Sequence, residues 1–279
     1  MDKDRVANKG SIGVFDSGYG GLTILNEFLK EFPDYDFTYL GDNARTPYGT
    51  RSFDMVYQYT RQSVMRLFEM GCQLVILACN TASAKALRTI QQNDLVGFDS
   101  TRRVLGVVRP SVEKIGEVSR NGHVGVVGTT GTVQSLSYPL EIQKLFPGTV
   151  VAQQACPMWV PLVENDERNT PGAEYFVKRD LTRLFEQDNQ IDTLILGCTH
   201  YPLLLPVIER FIPAGVRVMS QGTIVAQSLR EYLIRHPEMD ARCTKNGTCR
   251  FFTTENPAKF NEASAVFLEQ PVDSSRIEL

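Results

Sequence analysis

At 279 residues, with 42% hydrophobic and 22% charged residues, the chain has the length and composition of a globular protein of one or two domains. A formal charge of −3, with no dense basic run, gives no reason to expect nucleic acid as a partner. No apolar run is long enough to cross a bilayer, and Met1 to Gly10 lacks the apolar centre of a signal peptide. A cytoplasmic protein with a loose polar tail and no membrane partner is therefore expected. The six cysteines (72, 79, 156, 198, 243 and 249) contain no C-x-x-C pair, and the three histidines form no H-x-x-x-H. Neither a disulfide framework nor a metal site is expected, and each cysteine is judged singly.

Ser11 to Phe15 reads as a strand, followed by the glycine-rich turn DSGYGGLT, Asp16 to Thr23. Leu22, Leu25, Phe28 and Leu29 have helical spacing, and Pro33 stops that helix after Glu31. Asp36 to Leu40 is a second strand with GDNARTPYGT as its exit loop, and Phe53 to Met70 is an amphipathic helix. It leads into LVILACNTAS, Leu74 to Ser83, whose aliphatic run is that of a buried parallel strand ending at Cys79. A helix follows to about Gln92. Arg103 to Val108 is a strand closed by Pro110, Ser111 to Val118 a helix, and Asn121-Gly122 a turn.

The order then repeats. His123 to Val127 is a strand, and GTTGTVQS, Gly128 to Ser135, opens a helix. Thr149 to Ala155 is a strand whose exit loop, CPMWVPLVE, carries Glu164. Tyr175 to Phe185 is helical and leads into TLILGCTHYP, Thr193 to Pro202, a second strand ending in a cysteine, Cys198. Val216 to Met219 answers the strand at 103–108. Laying Gly13 on Gly125 pairs IGVFDSG with VGVVGTT, so three elements recur in the same order. A helix at Ile224 to Arg235, a strand at Arg250 to Thr254 and a helix at Pro257 to Leu268 finish the chain. The expected fold is α/β: two similar doubly wound α/β domains facing each other across a cleft, related by a pseudo-twofold axis. The first comprises residues 1–108 with about 220–279 returning to it, and the second residues 109–219.

In open α/β sheets ligands bind at the carboxyl ends of the strands, where Cys79 and Cys198 stand. A free cysteine is more often an inert small hydrophobe, and Cys72, Cys243 and Cys249 are read so. A helix N-terminus after each corner cysteine favours thiolate, but by only about 0.3–1 kcal/mol. Since one pKa unit is about 1.4 kcal/mol, the dipole lowers a thiol by roughly one unit. Asp16 and Glu164 oppose a second negative charge, whereas a protonated His200 favours thiolate. One thiolate and one thiol flanking a single carbon suit a symmetric proton exchange. Cys198 with His200 also suits a nucleophilic pair, a weaker signal because residues two apart need not touch. Ser17, Asn80, Thr81, Thr129 and Thr199 suit a carboxylate and Asp16 an ammonium, while the Pro47-Tyr48-Gly49 turn offers backbone donors to a second carboxylate. DSGYGG lacks the Lys-Ser/Thr of a phosphate loop and GTTGTV is not the dinucleotide fingerprint, which disfavours nucleotides.

Taken together, DSGYGGLT, GDNARTPYG, ACNTAS, GTTGTV, CPMWVPLVE, GCTHYP and FFTTENPAKF, in this order, resemble the cofactor-independent glutamate racemases of bacteria. The resemblance runs from about residue 11 to the C-terminal helix. It implies interconversion of L- and D-glutamate without a cofactor, supply of D-glutamate for peptidoglycan, and a homodimer. By the resemblance Cys79 exchanges the proton on the D side and Cys198 on the L side, assisted by Asp16, Glu164 and His200. Substrate would be bound by Asp16, Ser17, Pro47, Tyr48, Gly49, Asn80, Thr81, Thr129, Thr199 and His200, with Asp42 in support. Arg109, in GVVRP, stands where many members carry an acid. Three alternatives stay open at this point: a racemase of aspartate or a hydantoin, a hydrolase or transferase with Cys198 as nucleophile, and a two-lobed protein that binds an amino acid without reacting.

Overall fold

The computed structural model describes residues 9–268 and 270–279; residues 1–8 of the expected tail lie outside them. Four strands, β1 (Ile12–Asp16), β2 (Phe37–Gly41), β3 (Leu74–Leu77) and β4 (Arg103–Gly106), lie in the order β2-β1-β3-β4. Four more, β5 (His123–Gly128), β6 (Val150–Ala155), β7 (Thr193–Gly197) and β8 (Arg217–Met219), form a second sheet in the order β6-β5-β7-β8. Substituting β5 to β8 for β1 to β4 turns one order into the other. Every pairing is parallel. The register carries the equivalence to single residues. Gly13 pairs with Val75, four positions before Cys79, and Gly125 pairs with Leu194, four positions before Cys198.

The chain then returns to the first sheet. β9 (Cys249–Thr253) pairs with β2, and β10 (Ser274–Arg276) pairs with β9 at the sheet edge. Alternate residues of each inner strand feed different cores, which is why these strands read as unbroken apolar runs. Ile12, Val14, Leu74 and Ile76 join a cluster that continues through Leu194, Leu196 and Trp159 of the second half. Phe15, Val75 and Leu77 pack on the first sheet's other face, and Val124, Val126 and Ile195 on the second sheet's other face. One core thus runs from sheet to sheet and holds their carboxyl edges in a fixed relation.

Several elements differ from the sequence reading. Pro110 does not close a strand: β4 ends at Gly106, and Pro110 lies in the first turn of a helix, Val108–Glu113, where its missing N–H has no partner to lose. The helix after Cys79 is regular only over Asn80–Lys85, then continues through a π segment, Ile90–Asp94, to Phe98. The segment expected as an acid-bearing loop is a helix, Trp159–Glu164, with Glu164 at its last position. The helix of the second half is longer than expected, Pro171–Gln187, because Thr170 caps it at Ala173 N–H and a proline opens it. β10 escaped the sequence reading, since Ser274-Ser275-Arg276 has no strand composition and is recruited by pairing alone.

Candidate active site

In a 2-1-3-4 strand order the chain turns to opposite sides after β1 and after β3, and the crevice opens between them. Asp16, at the end of β1, and Cys79, just past β3, flank that crevice in the first sheet; Thr129, past β5, and Cys198, past β7, occupy the equivalent positions in the second. Cys79 is 5% exposed, Cys198 6%, Asp16 1% and His200 5%, so the four most reactive groups share a closed interior.

Cys79 caps its helix, its sulfur accepting from Ala82 N–H at 3.5 Å and donating to Ser17 Oγ at 3.4 Å. The cap does not make it acidic. Burial, reinforced by the charge of Asp16, pushes the Cys79 thiol up to about 12 against the help of Ser17 and Ala82. This reverses the expected lowering: a terminal dipole is a small effect, and desolvation of a sulfur is a large one. Cys198 raises Cys79 further. Asp16 accepts from Gly18 N–H at 2.8 Å through one oxygen, while the other has no hydrogen-bond partner among the described residues. Burial raises Asp16 despite the opposing charge of His200.

The second corner is built differently. After Cys198 there is only a short 3-10 turn, Tyr201–Leu204, capped by His200, so the expected helix N-terminus does not face this sulfur. What faces it is His200 Nδ1 at 3.9 Å, and His200 Nε2 meets Glu164 Oε1 at 3.0 Å. Burial alone would lower His200, but its contacts with Cys198 and Glu164 prevail and lift it to about 10. Cys198 therefore has a cation beside it and Cys79 the buried carboxyl of Asp16.

The remaining candidates divide into groups. Thr81 and Thr129, from opposite halves, meet hydroxyl to hydroxyl at 2.9 Å, and Thr129 also caps its helix at Thr132 N–H. The Thr199 carbonyl accepts from Thr23 Oγ1 at 3.0 Å, another tie between halves. Tyr48 is fully buried with its hydroxyl donating to Asp42, which also accepts from Arg45 at 2.6 Å and Thr254 at 2.9 Å. Its side chain is thus committed to holding the loop, and only the Pro47–Gly49 backbone remains for a ligand. Gly49 lies against Thr129, whose Cβ is 2.8 Å from where a side chain at 49 would begin. Asn80 is committed too, its carboxamide engaged by Tyr138 and Gln221. Arg109 is on the surface, paired with Glu113 and Glu141, and touches none of these groups. It lines a surface groove of about 840 Å³ that has neither cysteine in its walls.

Gly20 explains the glycine-rich turn. A Cβ there would sit 2.2 Å from Thr199 Oγ1 and 2.4 Å from His200 Nδ1, so a bare backbone is what lets the first half's turn approach the second half's acid–base pair. Tyr39, whose hydroxyl donates to Gly18 O at 2.8 Å, props the same turn from below. Nothing in the sequence marks Tyr39, Tyr138 or Gln221 as parts of this region.

A model of the Asp/Glu/Hydantoin racemase family matches residues 25–229. The chain belongs to that family. A glutamate racemase of Roseobacter denitrificans is 39% identical over 95% of this chain and 99% of its own length. One of Listeria innocua is 39% identical over 94% of this chain and 96% of its own. Among solved structures, a glutamate racemase isoform of Bacillus anthracis superposes with a TM-score of 0.88 at 33% identity, covering 98% of each chain. A Francisella tularensis glutamate racemase, solved in complex with D-glutamate, gives 0.86 at 31% identity and 98% coverage of each chain. As a racemase-family member this is an isomerase with the two-domain α/β fold of its structural neighbours.

Proposed function

We propose that this protein interconverts L- and D-glutamate by a cofactor-independent exchange of the Cα proton between two cysteines, supplying D-glutamate for peptidoglycan. The observation that carries the reading is the pair of buried thiols at equivalent corners of two sheets, each with its own charged assistant. At neutral pH His200 is an imidazolium facing the Cys198 sulfur, while Cys79 holds its proton. The two corners thus differ, one sulfur facing a cation and the other protonated beside Asp16. Cys198 takes the proton from L-glutamate as Cys79 gives one to the opposite face, and the reverse transfer serves D-glutamate. The substrate ammonium beside Asp16 offsets the negative charge that otherwise keeps Cys79 protonated. Thr81, Thr129, Thr199 and Ser17 receive the α-carboxylate, and the Pro47–Gly49 backbone the distal one. A cytoplasmic homodimer belongs to the same proposal.

One observation favours a second reading. Glu164, His200 and Cys198 are ordered as acid, base and nucleophile, the array of a hydrolase. That reading leaves Cys79 and Asp16 without a task and makes Cys79→Ser harmless. The deciding experiment is polarimetry in chelated, cofactor-free buffer. L-Glutamate should lose its optical rotation completely, as a pair of mirror images requires, while L-aspartate and hydantoins keep theirs. Loss of rotation with aspartate or a hydantoin alone overturns the substrate, and no loss with any of them overturns racemisation.

A further inference from the structure

Asn80, Tyr138 and Gln221 are at most 3% exposed and come from three separate stretches of chain: the Cys79 corner, the second half, and the segment returning to the first sheet. Their polar groups close a ring. Tyr138 O–H donates to Asn80 Oδ1 at 2.7 Å, Asn80 Nδ2 donates to Gln221 Oε1 at 2.6 Å, and Gln221 Nε2 donates to Tyr138 Oη at 2.8 Å. Each member both gives and receives, so one orientation of each amide satisfies the ring and flipping either breaks two bonds. Gln221 Nε2 also reaches Ser111 Oγ at 2.7 Å, anchoring the ring to the connection between the halves.

The ring touches both cysteine corners. Asn80 follows Cys79 directly. On the other side, the edge of the Tyr138 ring (Cε2) lies 3.2 Å from where a side chain on Gly197 would begin, and Gly197 directly precedes Cys198. A tyrosine with its ring seated on one corner and its hydroxyl bonded to the other spans the two. We propose that Tyr138, oriented by Gln221, is a positioning residue that fixes the separation of the two cysteine corners across the substrate. The inference rests on the two-cysteine exchange proposed above.

Ser137 runs alongside, its hydroxyl donating to Ala84 O at 2.9 Å, so the start of helix Ser137–Leu145 is tied twice to the helix that follows Cys79. Those ties fix direction as well as distance. A phenylalanine at 138 keeps the ring against Gly197 but releases Asn80, letting the Cys79 corner drift while the rest of the core stays filled.

The test compares Tyr138→Phe and Gln221→Met with wild type, using L-glutamate and its α-deuterated form. A misplacement of about 1 Å in a reacting group costs about 100-fold, so kcat should fall roughly 10- to 100-fold with KM within about twofold. The deuterium isotope effect on kcat should rise, because proton transfer becomes the slow step. A folded variant with wild-type kcat and isotope effect and only a lower melting temperature would reduce the ring to a stabilising feature and overturn the proposal. Should Tyr138→Phe not fold, Gln221→Met decides, since it opens the ring without altering the contact with Gly197. A wild-type protein that does not racemise glutamate instead removes the reading beneath, a result distinct from either outcome.

Discussion

His200 is the residue whose proton sets the charge of the site. Held at about 10 by Cys198 and Glu164 against burial, it stays an imidazolium across the neutral range. Turnover of L-glutamate should therefore hold steady from neutrality and fall as pH passes about 10, where the cation beside Cys198 is lost. The same shift bears on stability. A group raised from 6.5 contributes stability fully present below pH 6.5 and lost as pH rises through about 10. His200→Gln should thus lower the melting temperature most below pH 6.5, with the difference shrinking toward pH 10; a difference independent of pH would contradict the assignment. Cys79→Ala and Cys198→Ala should each cut racemisation by about 10²- to 10⁴-fold, the usual contribution of a positioned acid or base. Each should still exchange the Cα hydrogen of one enantiomer with deuterated solvent, Cys79→Ala that of L-glutamate and Cys198→Ala that of D-glutamate. Exchange of both enantiomers by either variant would show one sulfur reaching both faces. Gly20→Ala should lose about 100-fold in kcat/KM, since its Cβ would displace Thr199 and His200; unchanged kinetics would mean the turn yields without cost. The cysteines and their flanking polar residues were legible because strand, small residue, cysteine and hydroxyl follow one another along the chain. The thiol's ionisation was not, because burial is a property of the assembled interior.

At the scale of elements, the short loops between segments carry much of the organisation. Asp36, just before β2, accepts from Asn246 Nδ2 at 2.6 Å, Thr248 N–H at 2.9 Å and Thr248 Oγ1 at 2.7 Å, clamping the segment that leads into β9. Those bonds outweigh burial and hold its carboxyl well below the usual carboxylate range. A lowered carboxyl contributes stability present above its ordinary value near 3.8 and lost as pH falls. Asp36→Ala should cost about 2–3 kcal/mol in denaturant unfolding at pH 7, with the gap closing in acid. A loss under about 0.5 kcal/mol, typical of surface changes, would contradict the clamp. Inner strands were readable because both their faces are buried. β10, and the helix carrying Glu164, were not: one depends on a neighbour's edge and the other on a turn that follows Cys156, and neither has a compositional mark.

At the scale of the molecule, the repeat, offset by 112 residues at Gly13 and Gly125 and by 119 at Cys79 and Cys198, was visible because both halves need the same turn at the same strand end. What joins the halves was not visible, since Asn80, Tyr138 and Gln221 lie 58, 83 and 141 positions apart. The result is a site closed around sulfurs only 5–6% exposed. Burial of both sulfurs gives the proposed exchange a direct isotopic test. L-Glutamate incubated with the enzyme in deuterated water should give D-glutamate carrying deuterium at Cα from the first turnovers, while recovered L-glutamate stays protiated early in the time course. D-Glutamate that keeps its original hydrogen, or L-glutamate that gains deuterium as fast as the product forms, would mean a single base serving both faces and would contradict the account.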